Sequence, residues 1–267
     1  MLTHPDFDPV AIALGPFEVH WYGLSYLAGF ALFWWIGVQR LKLPHVRAAG
    51  WTREEVSDVL CTGVRRVILG GRAGYVFFYN LDQFLADPVY LIRIWEGGMS
   101  FHGGLIGVLL AMGWHARKFQ RGWWEVTDFI AVGVPAGLLT GRLGNFINAE
   151  LWGRPTDMPW GVVFPQVGPE PRHPSQLYEA GLEGLVLLLI LVWFARRPRP
   201  VMAVSGLFLV GYGLFRSVVE FFRVPDAHIG FLASDWLTMG MLLSLPMWLA
   251  GLAILGLAYR RRPGEAH

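Results

Sequence analysis

Three stretches of the 267-residue chain place reactive side chains where apolar ones would be expected. In GGMSFHGGLIG (97–107), His102 stands between glycines at the head of an apolar run. In GYGLFRSVVEFFR (211–223), Tyr212, Arg216 and Glu220 recur at i, i+4 and i+8, a spacing that stacks them on one helix face. In GRLGNFINAELWGRP (141–155), Arg142, Asn145, Glu150, Gly153 and Arg154 follow one another closely. Tyr22 joins them from HWYGLSYLAGF (20–30). Two arginines suit an anionic phosphate, which a guanidinium grips with a planar fork. A histidine takes a proton near neutral pH. Tyr, Asn and Glu side chains orient such donors and stabilise charge, and glycines beside His102 let bulky groups or backbone come close. Each residue also has an ordinary reading. Arg216 and Glu220 can form a plain intrahelical ion pair, and Tyr22 can belong to an interfacial belt. Asn145 and Asn148 can cap helix ends, His102 can be a structural hydrogen-bonder, and Arg142 can snorkel to headgroups.

The elements that must position these groups are apolar spans. The chain is 54% apolar and 16% charged, against about 45–50% and 25% in a soluble domain. Seven runs, roughly 20–39, 55–79, 99–116, 124–141, 178–195, 202–221 and 236–258, approach the length that crosses a bilayer. Alternate connections are rich in cations. Arg40, Lys42, Arg47 and Arg53 form one group; Arg117, Lys118 and Arg121 another; Arg196, Arg197 and Arg199 a third; Arg260, Arg261 and Arg262 the last. The other connections carry acids such as Asp6, Asp8, Asp82, Asp87, Asp226 and Asp235. Since cytoplasmic loops hold the Lys/Arg excess, the N-terminus is expected outside and the C-terminus in the cytoplasm. The expected fold is an all-α integral membrane protein of seven transmembrane helices, a single polytopic domain over 1–267. A small outer loop or head is expected at about 142–177. Four different spans then deliver polar groups to one level, the outer leaflet, where charged residues normally face a bundle interior or wet cavity. Arg216 would lie roughly 10 Å below the outer end of its helix.

The cations sit in membrane-flanking loops, so the net charge of +2 gives no reason to expect nucleic acid. The one cysteine, Cys61, excludes an internal disulfide and reads as a small buried hydrophobe. MLTHPDFDPV lacks the basic start of a cleavable signal. No metal-ligand spacing, Gly-x-Ser-x-Gly elbow or Walker loop occurs, so neither metal nor cofactor is expected. Gly-Arg-x-Gly appears twice, in GGRAGYVFFYN (70–80) and TGRLGNFINAE (140–150). The residues alone leave two classes open: a lipid-modifying enzyme, or a lipid or anion transporter using the same outer-leaflet arginines.

The stretches HWYGLSYLAGF, GGRAGYVFFYN, GGMSFHGGLIG, GRLGNFINAELWGRP, PRHPSQLYEA (171–180) and SGLFLVGYGLFRSVVEFFRVPD (205–226) resemble the bacterial prolipoprotein diacylglyceryl transferases. The resemblance implies a multi-pass protein of the bacterial inner membrane with its active site toward the periplasm. It implies transfer of the diacylglyceryl group of phosphatidylglycerol to the lipobox cysteine thiol of a preprolipoprotein signal peptide, forming a thioether and releasing glycerol-1-phosphate. It marks Tyr22, His102, Arg142, Asn145, Glu150, Gly153, Tyr212, Arg216 and Glu220 as site residues. Of these, His102, Arg142, Arg216 and Tyr22 are expected to be catalytic. Arg142, Arg216, Asn145, Glu150, Gly153, Tyr212 and Glu220 are expected to bind phosphatidylglycerol. The segment between ELWGRP and PRHPSQ is short, about 16 residues, which bears on peptide recognition rather than on the chemistry.

Overall fold

The computed structural model describes residues 2–5, 7–15, 17–225, 230, 232 and 237–260. Asp6, Asp226, Asp235, Arg261 and Arg262, used above to orient the chain, lie outside them. Strands β1 (Leu2–Thr3), β2 (Val10–Leu14) and β3 (Phe17–His20) precede helices α1 (Trp21–Arg40), α2 (Pro44–Ala48), α3 (Arg53–Tyr79) and α4 (Leu81–Ala86). Two 3-10 turns, Pro88–Ile92 and Ile94–Glu96, lead to α5 (Phe101–Lys118), α6 (Trp123–Ala131) and α7 (Val134–Ile147). Strands β4 (Val162–Val163) and β5 (Pro171–Arg172) follow. Then come α8 (Ser175–Glu179), a π turn over Ala180–Val186, α9 (Leu187–Phe194), α10 (Ala203–Glu220) and α11 (Met239–Arg260).

The described residues are mostly helical, and each of the seven apolar runs overlaps helix. Among the described residues four stretches are long and apolar enough to cross a membrane: Trp21–Arg40, Ser175–Phe194, Ala203–Glu220 and Met239–Arg260. The run expected over 124–141 is broken. α6 and α7 meet at 41° and form a fifth span only if taken together. Pro135 explains the break, because a proline ring clashes with the carbonyl four residues back, here that of Ala131, the last residue of α6. α3 and α5 are long enough, but Arg65, Arg66 and Arg72 in one and His102, His115, Arg117 and Lys118 in the other keep them out of that apolar class. The head expected over 142–177 starts later, because α7 continues to Ile147. It also contains two short strands that the sequence does not announce: β4 pairs in parallel with β1 from the N-terminal segment and antiparallel with β5, while β2 and β3 form a separate hairpin.

The helices fall into two compact units, residues 1–37 with 128–267, and residues 38–127. In the first, Ile36, Val132, Ala136, Leu187, Leu191 and Val204 make the apolar core. Asp128 accepts from the backbone N–H of Met202 at 2.7 Å and of Ser205 at 2.8 Å, which fixes the start of α10. α10 and α11 lie close, since a Cβ on Gly206 would sit 2.9 Å from Leu255 N and one on Gly251 2.7 Å from Val210 N.

In the second unit α3 and α5 touch backbone to backbone. A Cβ on Gly74 would lie 2.8 Å from Gly103 Cα, and one on Gly103 would collide with the carbonyl of Gly70. The pairs Gly70/Gly74 and Gly103/Gly107 are each four apart, the spacing of small residues that lets membrane helices approach closely. α3 starts with a capping box: Glu55 N donates to Thr52 Oγ1 at 3.2 Å and Thr52 N to Glu55 Oε2 at 3.0 Å. Cys61 on α3 is exposed, contrary to the burial expected of it.

Candidate active site

Side chains from α7, from α10 and from the segment after α10 converge on one carboxylate of α8 in the first unit. Glu179, the last residue of α8, is fully buried. Its Oε1 pairs with Arg223 Nη1 and lies 3.6 Å from Arg216 Nη1. Its Oε2 pairs with Arg142 Nε from α7. That last pair is held by proximity of charge, because Oε2 accepts no aligned hydrogen bond. Glu220, one turn beyond Arg216 on α10, pairs with Arg216 Nη2 and lies 3.2 Å from Arg223 Nε. Three guanidinium groups thus share two carboxylates. The side chains of Glu179 and Glu220 keep 1% and 5% of their surface exposed, against 20% for Arg142 and 16% for Arg216. The arginine side chains are therefore the less buried part of the cluster.

A second chain of polar contacts runs from this cluster into the head. Arg142 Nη1 donates to Asn145 Oδ1 at 3.4 Å, and Asn145 Nδ2 to Glu150 Oε2 at 3.2 Å. Asn148 Nδ2 reaches Glu150 Oε1 at 3.4 Å, and Gln176 Nε2 donates to the Glu150 carbonyl at 2.5 Å. Glu150 stands between Ala149 and Leu151, whose φ angles of 53° and 55° put both in the left-handed region. Non-glycine residues there cost of order 1–3 kcal/mol and persist where surrounding contacts over-determine them. Gly153 pairs with Arg223 across an isolated bridge. A Cβ there would collide with the Phe222 carbonyl and sit 2.6 Å from the His173 carbonyl, so only glycine fits. Arg154 donates from Nε to the Arg223 carbonyl at 2.6 Å and from Nη2 to the Glu220 carbonyl at 3.2 Å, tying the head to the end of α10.

Tyr22 opens α1, which meets α7 at Gly144. A Cβ there would lie 2.9 Å from Ser25 Cβ and 3.8 Å from the Tyr22 ring. The Tyr22 hydroxyl is 3.0 Å from that of Tyr26. Tyr212 lies one turn before Arg216, its ring stacked on Phe208 at 6.0 Å between centroids. Of the nine sequence-predicted site residues, the first unit holds eight: Tyr22, Arg142, Asn145, Glu150, Gly153, Tyr212, Arg216 and Glu220. His102 belongs to the second unit. There it is the second residue of α5, exposed, after the Ser100 side chain that accepts from Gly103 N at 3.3 Å.

Sequence reasoning missed Glu179, Arg223 and Glu183. Glu179 sits in PRHPSQLYEA, at the start of the apolar run expected over 178–195. Arg223 follows Glu220 at i+3 in EFFR, a spacing that could have signalled the pair. Glu183, in the π turn, is fully buried, and neither of its oxygens has a hydrogen-bond partner among the described residues. No group of three or more His, Cys, Asp or Glu side chains among the described residues could hold a metal ion.

Long apolar helices around a buried arginine–carboxylate network define a polytopic membrane protein. The family model for prolipoprotein diacylglyceryl transferase matches residues 9–257. The chain belongs to that family. It is similar to proteins named phosphatidylglycerol–prolipoprotein diacylglyceryl transferase from several bacteria. The protein from Cupriavidus pinatubonensis is 58% identical, covering 99% of this chain and 97% of its own length. That from Vibrio vulnificus is 57% identical, covering 97% and 94%. That from Pseudomonas paraeruginosa is 54% identical, covering 98% and 97%.

Proposed function

We propose that this chain is a transferase that moves the diacylglyceryl group of phosphatidylglycerol onto a prolipoprotein. Membership of the family and the names of relatives that match over nearly the whole length support it. Nothing comparable favours the transporter reading. The single structural observation that carries the chemistry is the placing of Arg142 and Arg216, from two helices, against one buried carboxylate, Glu179.

In finer terms, the acceptor is the thiol of the lipobox cysteine of a preprolipoprotein signal peptide. A free thiol has a pKa of about 8.5, and its thiolate is the nucleophile. The sulfur attacks the glycerol carbon that bears the phosphate. A C–S bond forms, the C–O bond breaks, and its electron pair leaves with glycerol-1-phosphate. Arg142 and Arg216 hold the phosphate and neutralise the charge that grows on it. Glu220 and Glu179 fix the direction of the guanidinium planes. Asn145, Glu150 and Tyr22 place the headgroup, Tyr212 lines the site, and Gly153 admits the head backbone against the end of α10. His102 takes the thiol proton. The chain's own Cys61 plays no part. The protein is a multi-pass protein of the bacterial inner membrane, with seven spans in one polytopic domain, an outer N-terminus and the site toward the periplasm.

The test is to incubate the purified protein with phosphatidylglycerol and a lipobox peptide and to look by mass spectrometry for a diacylglyceryl thioether. Its absence would reject the transferase reading. For the proton, His102→Gln is expected to lower turnover across pH 6–9; turnover equal to wild type there would remove His102 as the base.

A further inference from the structure

We propose that Thr238 is a positioning residue for the arginine pair, acting through Glu220. The inference rests on the transferase reading above. Thr238 lies just before α11 and is 2% exposed. Its Oγ1 accepts from the backbone N–H of Met241 at 3.3 Å, so it closes the first turn of α11. Its one hydroxyl proton is given to Glu220 Oε2 at 2.8 Å. The other oxygen, Oε1, faces Arg216 Nη2 and Arg223 Nε. Each Glu220 oxygen therefore has a fixed side: arginines on one, the start of α11 on the other.

The terminal torsion of a glutamate is broad and nearly two-fold, so the carboxylate plane is set by its partners rather than by its own rotamer. Thr238 is the partner that holds Oε2 and leaves Oε1 for the arginines. Gly240 packs against the same carboxylate: a Cβ there would lie 2.5 Å from its carboxyl carbon and from Oε1, and 2.9 Å from Oε2. The backbone at the helix N-terminus thus lies directly against the carboxylate, where its dipole favours negative charge. The space left between Arg216, Glu220, Arg223, Thr238 and Gly240 is about 20 Å³. That accommodates one water, and a lipid phosphate does not fit. Thr238 therefore touches no substrate, and its effect on transfer passes through Glu220 to Arg216.

Three variants separate this role from simple capping of α11, each assayed for kcat and KM with phosphatidylglycerol and a lipobox peptide. Thr238→Val removes both the cap and the donor, and is expected to lower kcat about 10–100-fold, the scale of a displacement near 1 Å at a reacting group. The KM for the peptide should stay unchanged. Thr238→Ser keeps both functions and restores kcat. Thr238→Asp keeps the cap but sets a second carboxylate beside Glu220, and should transfer as poorly as the valine variant. Wild-type kcat in Thr238→Val or in Thr238→Asp, or a serine variant as impaired as valine, overturns the proposal. Should Thr238→Val fail to accumulate, the serine and aspartate variants, compared at equal thermal stability, decide it alone. Arg216→Ala is run alongside. Normal transfer by that variant sinks the transferase chemistry itself, whereas a dead Arg216→Ala beside a normal Thr238→Val sinks only the role of Thr238.

Discussion

Arg72 and Arg142 occupy the same short pattern, Gly-Arg-x-Gly, and are used in opposite ways. Arg72, on α3, is 2% exposed. It donates to the carbonyls of Tyr90 at 2.6 Å, Leu91 at 3.2 Å, Gly97, and Gly98 at 3.5 Å, and its guanidinium lies 4.6 Å from the Tyr90 ring centre. No carboxylate pairs with it among the described residues. Its donors are spent on main chain, and it fastens segment 90–98, which leads into α5 and His102. Arg142 instead faces a carboxylate that it shares with two other arginines, and it keeps a fifth of its side-chain surface open. A carbonyl-bound guanidinium is scaffold. A guanidinium in a shared ion network with part of its surface open is what the proposed grip on a phosphate would need.

The largest expected effect that sharpens this contrast is at Arg142. Arg142→Ala should lower transfer by about 10²–10³-fold, the scale of removing a charge-stabilising donor, while the protein accumulates in membranes as before. An equal fall in accumulation would erase the contrast. Arg72→Lys should do the reverse. One ammonium cannot span from the Tyr90 carbonyl to that of Gly97, so buried acceptors are left unpaired at about 2 kcal/mol. The unfolding midpoint in detergent should drop by about 4–8 °C. Unchanged stability would mean that Arg72 is not the fastener. A smaller effect probes the helix that Arg72 serves. Gly103→Ala must push α5 off α3 and should cost about 1–3 kcal/mol. Gly104→Ala, whose Cβ meets only Val67 at 3.9 Å, should leave the midpoint near wild type. Equal outcomes would show that the glycine contact does not hold the pair.

Much of this site was legible in the sequence because its logic is local. The i, i+4, i+8 spacing of Tyr212, Arg216 and Glu220 requires only that α10 be helical. Arg142 and Asn145 share a face three residues apart, and their hydrogen bond follows from helix geometry. What the sequence hid depends on long-range pairing. Glu179 meets Arg142 across 37 residues and Arg223 across 44, and no periodicity connects them. The partners of Arg72 are carbonyls, which every residue carries, so residue type could not announce them. The short strands of the head escaped notice because runs of two residues, such as Leu2–Thr3 and Val162–Val163, are below any pattern length. The break before α7 was readable in retrospect from Gly133 and Pro135, but hydropathy alone counted through it.

The wide turn at Ala180–Val186 sets the angular phase between the two ends of its helix. Such turns hold one residue more than α-helical winding requires. Leu187 and Leu191, beyond it, are locked among apolar neighbours, while Glu179, before it, meets the arginines. Deleting a single residue within the turn would let the winding tighten and swing Glu179 by about 100°, away from all three cations. One surplus residue thus keeps the greasy half and the charged tip of this helix in step, as a spacer keeps two gears in mesh.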